Sequence, residues 1–422
     1  MKITFLKDDS YILAGLGAKI SQSPFEKTIN ELYDEAKDVE KSKKLVRNIV
    51  DKNKHRIFDD FTETAFVFDG ITRAGAIYFW RNISSLNLMS GAGLETSLRV
   101  IKPTNYNSSI TELAEASKSC YDDAINDGMP EQDARYVLPE GTETRVIFSS
   151  TKRYYSKLAT ALKDNSLPEI NEIGKTIEDV INKEYGMKAT DEKLPSKWDV
   201  FGHWDYFNEC TSINMSFNSD FSFSSGSNID AHSLSLDMGA RASLSMLAQL
   251  VRQRPNLIEI EPFEDIVKSA TFVSPPTFSD RIKEHYRQLA EYASEFQAHL
   301  LERKDPNFVY GLLLGQQARF KLKAKGYGIV ETAKERVEGV AQWEIRNTVG
   351  IPLTKKLSNY EELRKEIGPR CYREGRCTEP PNFKNKFNVC PIQAAGGRGD
   401  KTLDECLEIL TPKDISTFTV RK

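Results

Sequence analysis

The chain has 422 residues, 39% of them apolar and 28% charged, which is long enough for two domains and apolar enough for sizeable cores. Its 58 Lys and Arg nearly balance 61 Asp and Glu, which excludes a polycation built to follow a nucleic acid or an anionic membrane surface. The opening MKITFLKDDSY has one short apolar run broken by Lys7, Asp8 and Asp9, and no stretch reaches membrane-spanning length, so a cytoplasmic location is expected.

Ser23-Pro24 followed by Glu26 predicts an N-cap and a helix from about Pro24 to Lys52, along which Ile29, Leu32, Tyr33 and Ala36 recur at helical spacing. Thr62 to Asp69 reads as a half-buried strand, with Phe66 and Phe68 on one face, Val67 on the other and Gly70 closing it. Ile71 to Met89, carrying Arg73, Tyr78 and Arg81, reads as a helix. Ser109 with Glu112 forms a capping-box pattern, Gly128 ends the helix after it, and Pro130 starts a short one. Lys188 to Ser227, with KATDEKLPSK and SFNSDFSFSSGSN, reads as linker plus irregular or strand insertion.

The order then returns: an alternating segment from His232 to Met238, an apolar helix from Ala240 to Arg252, and an amphipathic helix from about Ser279 to Arg303. Phe66 to Asp69 pairs with Leu234 to Asp237, and Asp133 to Tyr136 with Gln317 to Phe320. This points to an internal duplication, with a first unit at 1–193, a linker or insertion at 194–227, a second unit at 228–352 and a C-terminal extension at 353–422. Cys371, Cys377, Cys390 and Cys406 crowd the extension without the two-residue spacing of zinc knuckles, so free thiols are expected there and no metal.

Four segments carry chemistry. Gly128 to Pro139 reads GMPEQDARYVLP, and Ala341 to Arg346 reads AQWEIR. Arg81-Asn82-Ile83 precedes Glu95-Thr96-Ser97-Leu98-Arg99, and Gln249-Leu250-Val251-Arg252-Gln253-Arg254 closes the later apolar helix. Together they resemble the ThyX family of flavin-dependent thymidylate synthases, whose signature is Arg-His-Arg followed by Glu-x-Ser-x-Arg. The earlier segment keeps the first arginine and the Glu-x-Ser-x-Arg, and the later one keeps the glutamine and both arginines, with Gln253 in place of histidine.

The resemblance implies an α+β fold of two tandem units, each with helices packed on a mostly antiparallel sheet. It also implies reductive methylation of dUMP to dTMP with FAD, NADPH and methylenetetrahydrofolate. Arginine forks suit a nucleotide phosphate, and cations suit a reduced, anionic flavin. By resemblance, Gln249, Arg252, Glu95, Ser97, Arg99, Arg135 and Arg319 would bind dUMP, while Arg81, Arg252, Gln253, Arg254 and Arg153 would face FAD. His55 lies near a flavin-contacting histidine of the family, although Asp60-Phe61 stands where a Glu-His pair is expected. Arg336, five residues before Ala341, takes the place of the arginine that polarises the uracil ring. Family sites are shared among subunits of a tetramer, so a homodimer imitating that tetramer is expected, with sites that join the two copies. Two alternatives stay open: a flavin-dependent methylase of another uridine nucleotide, and a catalytically inactive nucleotide-binding or assembly protein.

Overall fold

The structure, a computed structural model, describes residues 1–7, 11–22, 27–49, 64–81, 87–90, 108–150, 152–185, 213–217, 234–251, 257–376, 390–397 and 399–420. Helices and antiparallel sheets combine in an α+β fold.

The first sheet is built from β1 (Lys2–Lys7), β2 (Thr64–Thr72), β3 (Asn87–Ser90) and β4 (Glu143–Ser149), in the spatial order β1-β2-β4-β3. Alternation along β2 sends Phe66 and Phe68 to one face, where Phe68 stacks on Phe148 of β4 at 5.3 Å between ring centroids. Ala65 and Val67 point the other way, beside Leu6 and Ile147. Both faces are apolar and both are covered. Tyr155 of α7 (Lys152–Leu162) packs edge-on against Phe66. The opposite face takes Leu13, Leu16 and Ile20 of α1 (Tyr11–Gln22) and Ile29, Leu32 and Ala36 of α2 (Ile29–Ala36).

Local chemistry revises the helix expected from Pro24 to Lys52. Thr28 and Glu31 form a reciprocal capping box that opens α2, and Asp38 accepts from the Lys41 amide to open a separate α3 (Val39–Arg47). The helix expected from Ile71 to Met89 is also shorter. Strand β2 runs on to Thr72 through a bulge at Gly70, which has φ +79°, so α4 spans only Arg73–Arg81, and the chain returns as β3 against β4. Helix α5 (Ser108–Asn126) stops before Gly128, at φ +81°, and Pro130 leads into the short α6 (Glu131–Ala134), as expected.

The second sheet contains β5 (Ile213–Phe217), β6 (Leu234–Ser243), β7 (Leu257–Ile260) and β9 (Gln317–Lys325), ordered β5-β6-β9-β7. Strand β5 falls inside the stretch expected to be linker or insertion. The order matches that of the first sheet strand for strand, and the helices agree. The apolar α9 (Leu244–Leu250) follows β6 as α4 follows β2, α11 (Asp280–Glu302) precedes β9 as α5 precedes β4, and α12 (Tyr327–Arg336) follows β9 as α7 follows β4. Only one face of this sheet is apolar. Leu236, Met238, Phe320 and Leu322 are buried, whereas Asp237, Arg241, Lys323 and Lys325 on the other face are exposed.

The two halves meet along a ladder with two-fold character. The Glu140 amide donates to the Leu312 carbonyl and the Leu314 amide to the Leu138 carbonyl, both at 2.7 Å. The Gly141 amide donates to Tyr310 (2.9 Å) and the Gly315 amide to Tyr136 (2.8 Å). Gly141 and Gly315 allow this approach, because a Cβ on either would press on the opposing carbonyl. The ladder sets the correspondence between halves, and it differs from the one expected from sequence: Tyr136 matches Tyr310, Glu140 matches Leu314 and Arg145 matches Arg319.

The remaining chain packs on the second half. The short α13 (Trp343–Ile345) passes through a π-helical turn at Arg346–Gly350 into α14 (Ile351–Leu357). Within the extension lie α15 (Glu361–Arg364), α16 (Arg370–Glu374), α17 (Pro391–Ala394), α18 (Leu403–Leu410) and β10 (Ser416–Thr419). Strand β10 pairs with β8 (Thr271–Ser274), which follows α10 (Phe263–Ser269), and Phe418 stacks on Phe272.

Candidate functional site

The motifs GMPEQDARYVLP and AQWEIR, more than two hundred residues apart, are brought into direct contact. ARYVLP leads into the inter-half ladder, and AQWEIR folds across it. The Tyr136 hydroxyl donates to Glu344 Oε2 at 2.6 Å, Gln342 donates to the same hydroxyl, and the Tyr136 and Trp343 rings stack at 5.9 Å. The Trp343 indole donates to Asp133 Oδ1 at 3.1 Å, and Thr277 donates to the other oxygen at 2.6 Å.

Glu344 is the centre of this network. The Ser243 amide donates to its Oε1 at 2.8 Å and the Ser243 hydroxyl to Oε2, while that same hydroxyl caps α9 by accepting from the Met246 amide. Burial pushes the Glu344 carboxyl above its ordinary pKa, and the hydrogen bonds from Ser243 and Tyr136 and the charge of Arg135 act against that rise. Burial and the neighbouring Glu344 together push the Tyr136 phenol well up.

A second network repeats the pattern with the halves exchanged. Glu169, in α8 (Pro168–Tyr185), accepts from the Thr72 amide at 2.8 Å and the Thr72 hydroxyl at 2.6 Å, and Tyr310 of the other half donates to it at 3.3 Å. Thr72 in turn accepts from the Gly75 amide at the start of α4, as Ser243 does for α9. Each half thus supplies a tyrosine to a carboxylate of the other. These residues were not singled out in the sequence. Tyr136 and Glu344 lie inside the two motifs, but only the fold shows that the motifs are partners.

The symmetry is broken beside the ladder. Arg73 (5% exposed) and Glu140 (1% exposed) lie where the second half has Leu244 and Leu314. The backbone contacts are the same: Arg73 and Leu244 donate to the Thr142 and Gln316 carbonyls, and Ala74 and Ser245 to those of Glu140 and Leu314. Neither Glu140 oxygen, nor Nε or Nη2 of Arg73, has a hydrogen-bond partner among the described residues. Burial pushes the Glu140 carboxyl up to about 8, against the lowering effect of the Arg73 charge.

Of the site residues expected from sequence, Arg135 is buried beside the Glu344 network, where its charge favours the ionised carboxylate. Gln249 lies half-buried in the last turn of α9. Arg336 ends α12, half-buried overall, with its Nε enclosed and without an acceptor among the described residues, and burial lowers its pKa. Arg319 faces a protein carboxylate: Glu261 accepts from its Nε and, at 2.7 Å, from its backbone amide. The backbone of Arg81 ends α4 and that of Arg153 lies in the first turn of α7. His55, Glu95, Ser97, Arg99, Arg252, Gln253 and Arg254 lie outside the described residues.

Cys390 and Cys406 are buried and Cys371 is half-buried, Cys377 lies outside the described residues, and among the described residues no group of three or more His, Cys, Asp or Glu is placed to hold a metal ion. No described helix is long and apolar enough to cross a membrane. No curated protein matches the chain. The family model described as thymidylate synthase complementing protein matches residues 7–185, and this part of the chain belongs to that family, the ThyX family.

Proposed function

We propose that the chain is a flavin-dependent thymidylate synthase built from two copies of the family's domain, divided as 1–193 and 228–352 and followed by an extension from 353. The family match covers the first copy. The second rests on its identical strand order and on the reciprocal Tyr136–Glu344 and Tyr310–Glu169 hydrogen bonds. The reaction is reductive methylation of dUMP to dTMP, with methylenetetrahydrofolate and NADPH as co-substrates. The observation that carries this reading is the meeting of ARYVLP and AQWEIR across the halves. Arg135 lies beside that junction, and Arg336 ends the helix that precedes AQWEIR.

The residues present fit the ligands by the chemistry of their donors. The Arg336 Nε is enclosed without an acceptor among the described residues, as suits a group whose acceptor arrives with the nucleotide. Arg336 would polarise the uracil ring. Arg135, Gln249, Arg252, Glu95, Ser97 and Arg99 would hold the rest of dUMP, with Arg319 a weaker member because Glu261 already engages it. Arg81, Arg252, Gln253, Arg254, Arg153 and His55 make up the set proposed to face FAD, because positive charge suits a pyrophosphate and an anionic reduced ring. FAD, when bound, supplies the hydride. The protein's part is to hold the uracil ring, polarise it and exclude water around it.

Two such chains would assemble into a dimer that imitates the family tetramer, each complete site joining Gln249, Arg252 and Arg254 of the second copy to Glu95, Ser97 and Arg99 of the first. One dUMP per chain would then bind. The test is an assay of dTMP formation from dUMP, methylenetetrahydrofolate and NADPH with FAD-supplemented protein. Turnover lost in Arg336→Ala supports the reading. Binding of UMP in preference to dUMP would move the substrate to another uridine nucleotide. Nucleotide binding without NADPH oxidation would leave an inactive, nucleotide-binding member of the family.

A further inference from the structure

The turn after Arg336 is held by the C-terminal extension as well as by its own half. Behind it, Gly350 packs so closely on the Arg336 carbonyl and the Val337 amide that any Cβ there would overlap them. Beneath it, the Arg346 Nη1 donates to the carbonyls of Gly339 (2.8 Å) and Ala341 (2.9 Å). The other contacts come from residues beyond 353. Glu338 accepts from the Arg370 amide at 3.0 Å and from the Arg373 guanidinium at 3.2 Å, with both charged side chains mostly buried. Gly339 lies against the Cys390 side chain with no room for a Cβ. The Arg346 Nε donates at 3.0 Å to the Leu410 carbonyl, so the residue that supports the turn is itself tied to the end of α18.

We propose that the extension, acting through the Arg373–Glu338 ion pair and the Cys390 contact, positions Arg336 for the nucleotide. Glu338 is a positioning residue and not a catalytic one: it fixes the turn two residues after Arg336. The physical reason is local. Arg336 is the last residue of α12, its Nε has no partner among the described residues, and a helix end frays unless the turn beyond it is anchored. A partly buried, hydrogen-bonded ion pair is a far stiffer anchor than an exposed one. The functional part of this inference rests on Arg336 serving the nucleotide site, whereas the clamp itself can be tested without that premise.

The experiment uses the full chain loaded with FAD and compares wild type with Glu338→Gln, Arg373→Ala, Arg373→Lys and Arg336→Ala. Two readouts are taken: the dissociation constant for dUMP, and the rate at which a small thiol reagent labels Cys390, measured by mass spectrometry of its peptide. The clamp predicts that Glu338→Gln and Arg373→Ala weaken dUMP about tenfold and label Cys390 at least several-fold faster, with FAD affinity unchanged and Arg373→Lys recovering part of both losses. Unchanged labelling in Glu338→Gln, an isosteric change that tests the pair even if Arg373→Ala does not fold, overturns the clamp. Faster labelling with unchanged dUMP binding overturns the positioning role. If Arg336→Ala itself binds dUMP like wild type, the reading of Arg336 fails, while the labelling result still decides the clamp.

Discussion

The two sheets share one strand order and differ in what covers them. In the first, Ala65 and Val67 face the apolar surface of α1 and α2, so both faces are buried. In the second, the strand position of Ala65 is taken by Asp237 and that of Ile147 by Lys321, and the face carries exposed charge. The contrast extends to the ladder, where Arg73 and Glu140 oppose Leu244 and Leu314. One scaffold thus carries two divergent surfaces. What stays alike is the set of groups that joins the halves: Tyr136 and Tyr310, Glu344 and Glu169, Ser243 and Thr72.

The comparison can be broken most forcefully at the arginine that has no counterpart in α7 of the first half. Arg336→Ala is expected to lower kcat/KM for dUMP by about a hundredfold or more, as loss of a charged donor to the reacting group typically does. Steady-state kinetics would show it, with unchanged urea unfolding confirming that the fold survives.

Next in size is the cover itself. Ala65→Asp places a carboxylate in the closed face and is expected to cost about 3 kcal/mol or more, whereas Asp237→Ala at the corresponding exposed position should stay within about 0.5 kcal/mol. Urea unfolding of the two variants measures both. Equal losses would mean that the second face is covered in solution.

Above about pH 8, where Glu140 is ionised, Glu140→Leu strands the buried Arg73 and should cost about 3 kcal/mol, while Arg73→Leu with Glu140→Leu, which copies the second half, should restore most of it. Additive losses would show that the two groups do not sense each other. Glu140 also sets a pH dependence. Its folded pKa of about 8 lies above the ordinary 4.5, so the native state holds a proton that the unfolded chain releases. The stabilisation is therefore full below about pH 4.5 and is lost as pH rises through about 8, on the order of a few kcal/mol. Glu140→Gln should flatten that slope in unfolding midpoints measured from pH 5 to 9.

The smallest effects should sit in the shared framework. Tyr136→Phe removes a 2.6 Å hydrogen bond to a buried carboxylate and should cost about 1–2 kcal/mol, and Tyr310→Phe, at 3.3 Å, should cost less. Thermal unfolding resolves the order, and a larger loss at Tyr310 would contradict the geometry.

The fold class came with the resemblance, while α11 could be read from local pattern, because it and its Ser279 cap depend on neighbours in sequence; the helix expected from Ala240 starts only at Leu244, since β6 runs on to Ser243 against β9. The break between α2 and α3 was missed because two competing caps, Thr28 and Asp38, outweigh the long periodicity across them. Strand β3 was missed because its reason for being extended is β4, more than fifty residues away. Arg135 was visible as a motif member and Arg336 by its place five residues before Ala341. The junction beside Arg135 was not, since Tyr136 and Glu344 become partners only when the two halves dock. Arg73 and Glu140 left no local signal, because their burial depends on the ladder. Pairing Asp133 to Tyr136 with Gln317 to Phe320 rested on one shared Ala-Arg, which the ladder reassigns: Arg319 corresponds to Arg145.

The most direct measurement is the visible absorption spectrum of the purified protein with added FAD, titrated with dUMP. Flavin bands that shift on titration and saturate at one nucleotide per chain are the predicted result. A protein that takes up no FAD would contradict the flavoenzyme reading and leave the chain as a nucleotide-binding relative of the family.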